Sequence, residues 1–122
     1  MAKVRLSATA EDDITRLLAY TEDQFGATAR RRYEALLVTG LRDLSLDPLR
    51  PGSIARPELG HAVRSYHLRH SRDRARTPDG LVRRPRHLLL YRVTRPDLIG
   101  VGRVLHDRME IEAHLPNRYG DE

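Results

Sequence analysis

Residues 8–46 carry two runs of apolar residues at helical spacing. Ser7, a good helix-capping residue, precedes the first run, and Gly26 ends it. Asp47-Pro48 ends the second run. The short link between them predicts an antiparallel αα-hairpin with facing apolar stripes. The positions on these stripes are Ala10, Ile14, Leu17, Leu18, Thr21 and Phe25 in the first helix, and Ala29, Tyr33, Leu36, Leu37, Gly40, Leu41 and Leu44 in the second.

Strand-like patterns occur on both sides of that hairpin. One strand is predicted at Lys3–Leu6 and three more at residues 62–68, 88–93 and 98–105. Residues 94–97 form a tight turn, so the last two strands should pair as an antiparallel hairpin. The order β-α-α-β-β-β predicts an α+β fold, with the N-terminal strand and the helical hairpin packed on a small antiparallel β-sheet. Asp107 and Glu110 are expected to cap a short C-terminal helical turn.

An arginine-rich insertion separates the strands predicted at 62–68 and 88–93. Residues 71–85 contain five arginines and several turn formers, and they are too polar to extend the sheet. This pattern predicts an elongated hairpin tip that is mobile in isolation. Two roles are open for the insertion. It is either an arginine-rich finger that reaches a partner or nucleic acid, or a solvated loop without function.

The length of 122 residues indicates a single domain, residues 1–122. No apolar run approaches the ~20 residues of a membrane-spanning helix, so a soluble, cytoplasmic protein without membrane contacts is expected. The absence of cysteine excludes disulfides and thiolate zinc sites, and the histidine spacing predicts no metal. The chain has no phosphate loop, dinucleotide-binding glycine pattern or nucleophile elbow, so no cofactor, nucleotide hydrolysis or ordinary acyl transfer is expected.

Positive charge is concentrated in the second half of the chain. Residues 61–109 contain twelve arginines, four aspartates and no glutamate, so this segment carries a charge of +8 against +5 for the whole chain. A surface of this kind attracts a polyanion or an acidic partner. Compositional bias is the alternative explanation, because Lys3 is the only lysine beside twenty-one arginines.

Motifs from the first strand to the last turn follow a characteristic order. They are Leu6-Ser7, Asp13 through Leu17, Phe25-Gly26, Pro48 to Gly52, Leu59-Gly60 with Arg64, His87 with Tyr91-Arg92-Val93, and Arg103-Val104-Leu105-His106 with Met109 and His114-Leu115. Each motif is weak alone, but their order resembles the ParE branch of the RelE/ParE toxin superfamily over nearly the whole chain. The insertion at residues 71–85 departs from that pattern.

The resemblance implies the toxin of a type II toxin–antitoxin pair that works by binding. ParE-like members block DNA gyrase, and a cognate ParD-like antitoxin silences them by wrapping a helix and a strand over the toxin. Contact with nucleic acid is expected only indirectly or through the antitoxin complex. A degenerate toxin that only binds its partner is an alternative. The residues expected to bind the target are Arg64, Arg92, Arg103, His106, Arg108 and Met109.

A domain this small cannot cover all the apolar surface of its helices and its sheet. We therefore expect an exposed groove that takes a segment of the antitoxin. The basic side of the sheet should prefer an acidic segment. The expected lining residues are Leu17, Tyr20, Tyr33 and Leu37.

A RelE-like, ribosome-dependent mRNA endoribonuclease is the second function class. Cleavage by attack of the 2′-hydroxyl needs a base, an acid and cations that stabilise the pentacoordinate phosphate. The chain lacks the lysines of such nucleases, and no glutamate lies in the predicted sheet, so binding without catalysis is favoured. If the chain is a nuclease, the candidates are Arg86, His87, Tyr91, Arg103 and His106.

Overall fold

The computed structural model describes residues 1–122 and contains two long helices and a five-stranded sheet. The elements are β1 (Lys3–Leu6), α1 (Ala8–Phe25), α2 (Ala27–Leu46), β2 (Ser53–Ala55), β3 (Val63–His67), β4 (His87–Arg95) and β5 (Leu98–His106). Short 3-10 helices span Pro57–Leu59, Leu68–Arg74 and Ile111–His114. The predicted α+β class is confirmed. None of the helices combines the length and the apolarity that crossing a membrane requires.

The helical hairpin forms where the sequence predicts it. The hydroxyl oxygen of Ser7 accepts the amide of Ala10 at 3.0 Å and so caps α1. Gly26 separates the two helices with a φ of 94°, a conformation that residues with a side chain rarely adopt. Asp47 ends α2, and its amide donates to the carbonyl of Asp43.

The sheet is mixed, with the strand order β1-β5-β4-β3-β2. β1 pairs with β5 in parallel, from Lys3 opposite Leu98 to Leu6 opposite Val101, whereas the other pairs are antiparallel. The expectation of an entirely antiparallel sheet is therefore wrong at this edge. No sequence pattern predicted β2, because its three residues are too few to show an alternation of apolar and polar positions.

A β-bulge in β5 changes which residues face the helices. Tyr91 lies opposite Val101 but Leu90 lies opposite Arg103, so Gly102 is the extra residue. Because of this shift, Val101 and Val104 both enter the core between the sheet and the helices. Strict alternation across residues 98–105 is therefore interrupted.

The insertion predicted at residues 71–85 is anchored to α2 instead of projecting as a mobile tip. Leu68 and Ser71 of its 3-10 helix are completely buried. Asp43 of α2 accepts the hydroxyl of Ser71 at 2.6 Å and forms an ion pair with Arg74. Farther along the segment, the carbonyl of Asp79 accepts a hydrogen bond from Arg32, also on α2. The sequence did not predict these contacts, because serine and arginine are also common in exposed loops.

The C-terminal tail, residues 115–122, covers the face of the sheet that the helices leave open. Tyr119 is buried there, and the guanidinium of Arg92 lies 4.6 Å from the centre of its ring. Arg92 also pairs with Asp121. A side chain at Gly102 would overlap Pro116 and the Tyr119 ring, so the glycine permits this close approach.

Candidate functional site

A groove of about 640 Å³ opens between the helical hairpin and residues 81–86. Leu17, Tyr20 and Tyr33, three of the four residues expected in an antitoxin groove, line it. The fourth, Leu37, does not line the groove and is only 3% exposed in the core beneath the helices. Phe25 was expected on the buried stripe but is 70% exposed at the mouth of the groove.

The groove combines apolar walls with a cationic rim. Tyr20 is 61% exposed, and together with Phe25 it presents aromatic surface to the solvent. Four arginines also line the groove: Arg32, Arg83, Arg84 and Arg86. Asp107 pairs with Arg86, but no acidic side chain lines the groove itself. The site therefore has the character of a docking surface for an amphipathic, negatively charged segment.

Two histidines form the floor of the groove at one end of the sheet. His87 begins β4, and His106 ends β5 directly opposite it. Their rings meet edge to face with the centres 5.2 Å apart. Tyr33 of α2 approaches His87 in the same manner, and its hydroxyl lies 2.6 Å from Nδ1 of that ring.

Burial keeps His87 and Tyr33 of this cluster uncharged. Desolvation lowers the pKa of His87 to about 4, and the neighbouring His106 acts in the same direction. Desolvation also raises the pKa of Tyr33 to about 12, so the phenol stays protonated. The Tyr33 oxygen accepts the amide of Arg86 at 3.1 Å, and its own hydrogen is left for Nδ1 of His87.

Asp107 connects the cluster to the edge of the sheet. Its carboxylate accepts Nε2 of His67 at 3.0 Å and the guanidinium of Arg86 at 3.0 Å. Burial alone would raise the pKa of Asp107, but these two hydrogen bonds outweigh it and lower the pKa. The expected capping pair is therefore wrong, since Asp107 points to other partners and Glu110 makes no side-chain cap.

Only three of the five candidate nuclease residues lie together in the structure. Arg86, His87 and His106 lie together at the groove. Tyr91 is fully buried, and its hydroxyl donates to the carbonyl of Pro48 at 2.6 Å. Arg103 forms an ion pair with Asp13 of α1 at 2.8 Å, outside the groove.

The expected target-binding residues do not form one surface. In the register of β3 and β4, Arg64 lies opposite Tyr91, which faces the helices, whereas Arg92 lies on the opposite face beneath the C-terminal tail. Arg64 donates to the hydroxyl of Ser53. Arg108 and Met109 are exposed, and Arg108 has no side-chain partner.

No sequence pattern marked Tyr33 as a partner of His87, Asp107 as a side-chain contact of His106, or His67 as a partner of Asp107. No sequence signal marked the pairing of His87 with His106. Counting outward from the predicted turn at residues 94–97 places Val104 opposite His87 in a regular hairpin, whereas the register shifts between β4 and β5 bring His106 there. Tyr33 joins the cluster only through tertiary packing.

Comparison with known protein families agrees with this geometry and with the motif order. Residues 4–111 match the family model described as the ParE toxin of the type II toxin–antitoxin system, parDE. The chain belongs to the ParE toxin family. The match includes the groove and the histidine pair of this ParE-like toxin, and it ends before the C-terminal tail. No curated protein matches the chain. The toxin holds no cluster of three or more side chains suited to a metal ion.

Proposed function

We propose that this toxin inhibits DNA gyrase by binding it in the cytoplasm, and that a ParD-like antitoxin neutralises it by occupying the groove. Membership of the ParE toxin family supports the assignment to a toxin–antitoxin pair. The observation that carries the role of the groove is its combination of exposed aromatic walls and arginines at a site with no acidic lining residue. An acidic amphipathic segment complements both features.

The state of the histidines favours binding over catalysis. A general base must present an unprotonated nitrogen to its substrate. Nδ1 of His87 is occupied by the Tyr33 hydroxyl, and Nδ1 of His106 accepts the amide of Arg108 at 3.1 Å. In the neutral form of each ring these contacts place the proton on Nε2, so that neither imidazole offers a lone pair to the groove.

One observation favours the second candidate, an mRNA endoribonuclease. Arg86, His87 and His106 are close together, and a cation beside two imidazoles resembles the composition of sites that cleave RNA. The test compares supercoiling by purified gyrase with cleavage of translated mRNA for the wild type and His106→Gln. We expect inhibition of gyrase by both proteins and intact mRNA. A nuclease that needs this imidazole loses on the order of 10² to 10⁴ in rate in the variant.

Arg108 and Met109 are the exposed members of the expected target-binding set. The double variant Arg108→Ala/Met109→Ala should weaken inhibition of gyrase without changing the midpoint of thermal unfolding, because exposed and unpaired side chains contribute little to stability. Arg118→Ala, an exposed arginine in the C-terminal tail, is the matched control and should inhibit as the wild type does. Unchanged inhibition by the double variant would place the gyrase contact elsewhere.

A further inference from the structure

The floor of the groove carries two hydrogen-bond donors that no protein group uses. With Nδ1 occupied in both rings, His87 and His106 each direct an N–H group outward from Nε2. Neither Nε2 atom has a hydrogen-bond partner, and the one buried side-chain nitrogen or oxygen without a partner is Nε of Arg50, which does not line the groove. Both Nε2–H groups are therefore open to a ligand.

We propose that His87 and His106 form a carboxylate-binding site that takes one Asp or Glu side chain of an acidic, amphipathic antitoxin segment. This inference rests on the proposed role of the groove and adds the chemistry of its occupant. The ring centres lie 5.2 Å apart, a spacing that would let the two oxygens of one carboxylate accept one N–H from each ring. Arg83 and Arg84 on the wall supply the positive potential that favours an anion.

The composition of the groove favours a peptide carboxylate over the phosphates of RNA. Leu17, Val82 and Phe25 line the same groove as the histidines and offer apolar surface, which suits the apolar face of a peptide. A metal ion is disfavoured, because a protonated Nε2 has no lone pair with which to coordinate it. The two Nε2–H groups contribute hydrogen bonds, and the arginines that line the groove contribute the charge.

The first test needs only the free toxin. Nitrogen-15 NMR of the imidazole groups at neutral pH should place the proton on Nε2 in both His87 and His106. Tyr33→Phe removes the donor to His87 and should shift the His87 ring toward a mixture of tautomers while leaving His106 unchanged. A proton on Nδ1 of either ring in the wild type would overturn the proposal.

The second test measures binding of a synthetic peptide from an acidic, amphipathic segment of the toxin's antitoxin. His106→Phe keeps the ring volume but removes the donor, and it should weaken binding about ten- to hundredfold, the usual effect of losing a hydrogen bond to a charged group. His106→Gln keeps an N–H near the position of Nε2 and should bind within about threefold of the wild type. His61→Phe, an exposed histidine outside the groove, is the control and should not change the affinity.

Replacing each Glu or Asp of the peptide by its amide identifies the carboxylate. One position should weaken binding to the wild type and have no further effect in His106→Phe, because both changes remove the same hydrogen bond. Absence of any such position would overturn the carboxylate site.

Tyr20→Ser separates this inference from the proposed function. If Tyr20→Ser weakens peptide binding but His106→Phe does not, the groove remains the antitoxin site and the carboxylate site is wrong. If neither variant weakens binding, the groove is not the antitoxin site and the carboxylate site is wrong as well.

A binding measurement with polyuridylate tests RNA as the alternative ligand. Binding of polyuridylate that His106→Phe abolishes, with peptide binding unchanged, would assign the histidines to RNA instead.

Discussion

The carboxylate of Asp13 accepts a backbone hydrogen bond from β5 where the neighbouring strand β1 has ended. β1 pairs with β5 only as far as Val101, so the amide of Val104 has no strand partner. The carboxylate of Asp13 accepts that amide at 2.9 Å and also binds the guanidinium of Arg103. In the sequence, Asp13 lies in a run of acidic residues near the start of a helix, where its charge suits the helix dipole. Its partners are about ninety residues away, so no local pattern marks its role.

His87 should make the stability of the toxin depend on pH above the range in which carboxylates titrate. Its pKa is about 4 in the folded chain and has the ordinary value of 6.5 in the unfolded chain. Between these values the unfolded chain binds more protons, so the free energy of unfolding falls as the pH decreases from 6.5 toward 4. The full effect is up to about 3 kcal/mol, since each pKa unit corresponds to about 1.4 kcal/mol.

Urea denaturation at about pH 7 and about pH 5 measures this dependence. His87→Gln should have a flatter profile than the wild type, because the variant lacks the titrating ring. Burial also lowers the pKa of His70, so His70→Gln serves as the control and should remove only a smaller part of the slope. Equal slopes in the wild type and His87→Gln would contradict the assignment of the effect to His87.

At the scale of elements, prediction succeeded where the periodicity was local. The amphipathic spacing of α1 and α2 and the turn after β4 are properties of neighbouring residues, and these elements lie where they were expected. Only the extent of the turn differs, because β4 continues to Arg95 and leaves Pro96 and Asp97 as the turn. The parallel edge and the anchored insertion depend on contacts between distant segments. Asp43 offered one indirect signal, because it lies three residues after Gly40 on the buried side of α2, where an unpaired carboxylate would be costly.

Asp43 should hold the insertion against α2. It accepts Ser71 and Arg74 and lies 3.4 Å from the guanidinium of Arg50. Asp43→Asn removes the charge that compensates the half-buried Arg50, so we expect a loss of about 2 to 4 kcal/mol in the free energy of unfolding. Asp73→Asn, in the same segment, breaks only the exposed pair with Arg72 and should cost less than about 0.5 kcal/mol.

Urea denaturation and hydrogen exchange distinguish a local from a global effect of Asp43→Asn. Faster exchange confined to residues 68–75 would show that the insertion detaches while the sheet stays folded. A loss as small as that of Asp73→Asn would contradict the anchoring role. Replacing all five arginines of the insertion would not test its binding role alone. Arg74 pairs with Asp43, so its loss would also lower the stability of the fold.

At the scale of the whole molecule, the sheet is covered on both faces by different means. The helical hairpin covers one face with a buried cluster of sixteen residues, whereas the other face has a small cluster of Val63, Leu90 and Tyr119. The C-terminal tail supplies Tyr119 and lies beyond the part of the chain that matches the family model. The sequence suggested a helical turn after Asp107 but no segment that covers the sheet. The one signal was a glycine on each side of Val101, which allows another segment to approach the strand closely.

The contact between the tail and Gly102 can be measured with a double-mutant cycle. The methyl group of Gly102→Ala would lie 2.5 Å from Pro116 and 2.8 Å from the Tyr119 ring, so this substitution should displace the tail. Truncation after Leu115 removes both neighbours together with the ion pair of Arg92 and Asp121. We expect each change alone to lower the free energy of unfolding by about 2 to 3 kcal/mol, through lost burial of Tyr119.

In the truncated chain, Gly102→Ala has no tail to displace, so its cost should fall by about 1 to 2 kcal/mol relative to the full chain. Gly40→Ala is the control: its methyl group would meet Leu68 on the helical side at 2.6 Å, so its cost should be the same with and without the tail. An equal cost of Gly102→Ala in both backgrounds would mean that the tail does not pack on β5 in solution. Because the helical face carries the groove, the truncated toxin should still bind the antitoxin peptide, which separates the stabilising tail from the proposed partner site.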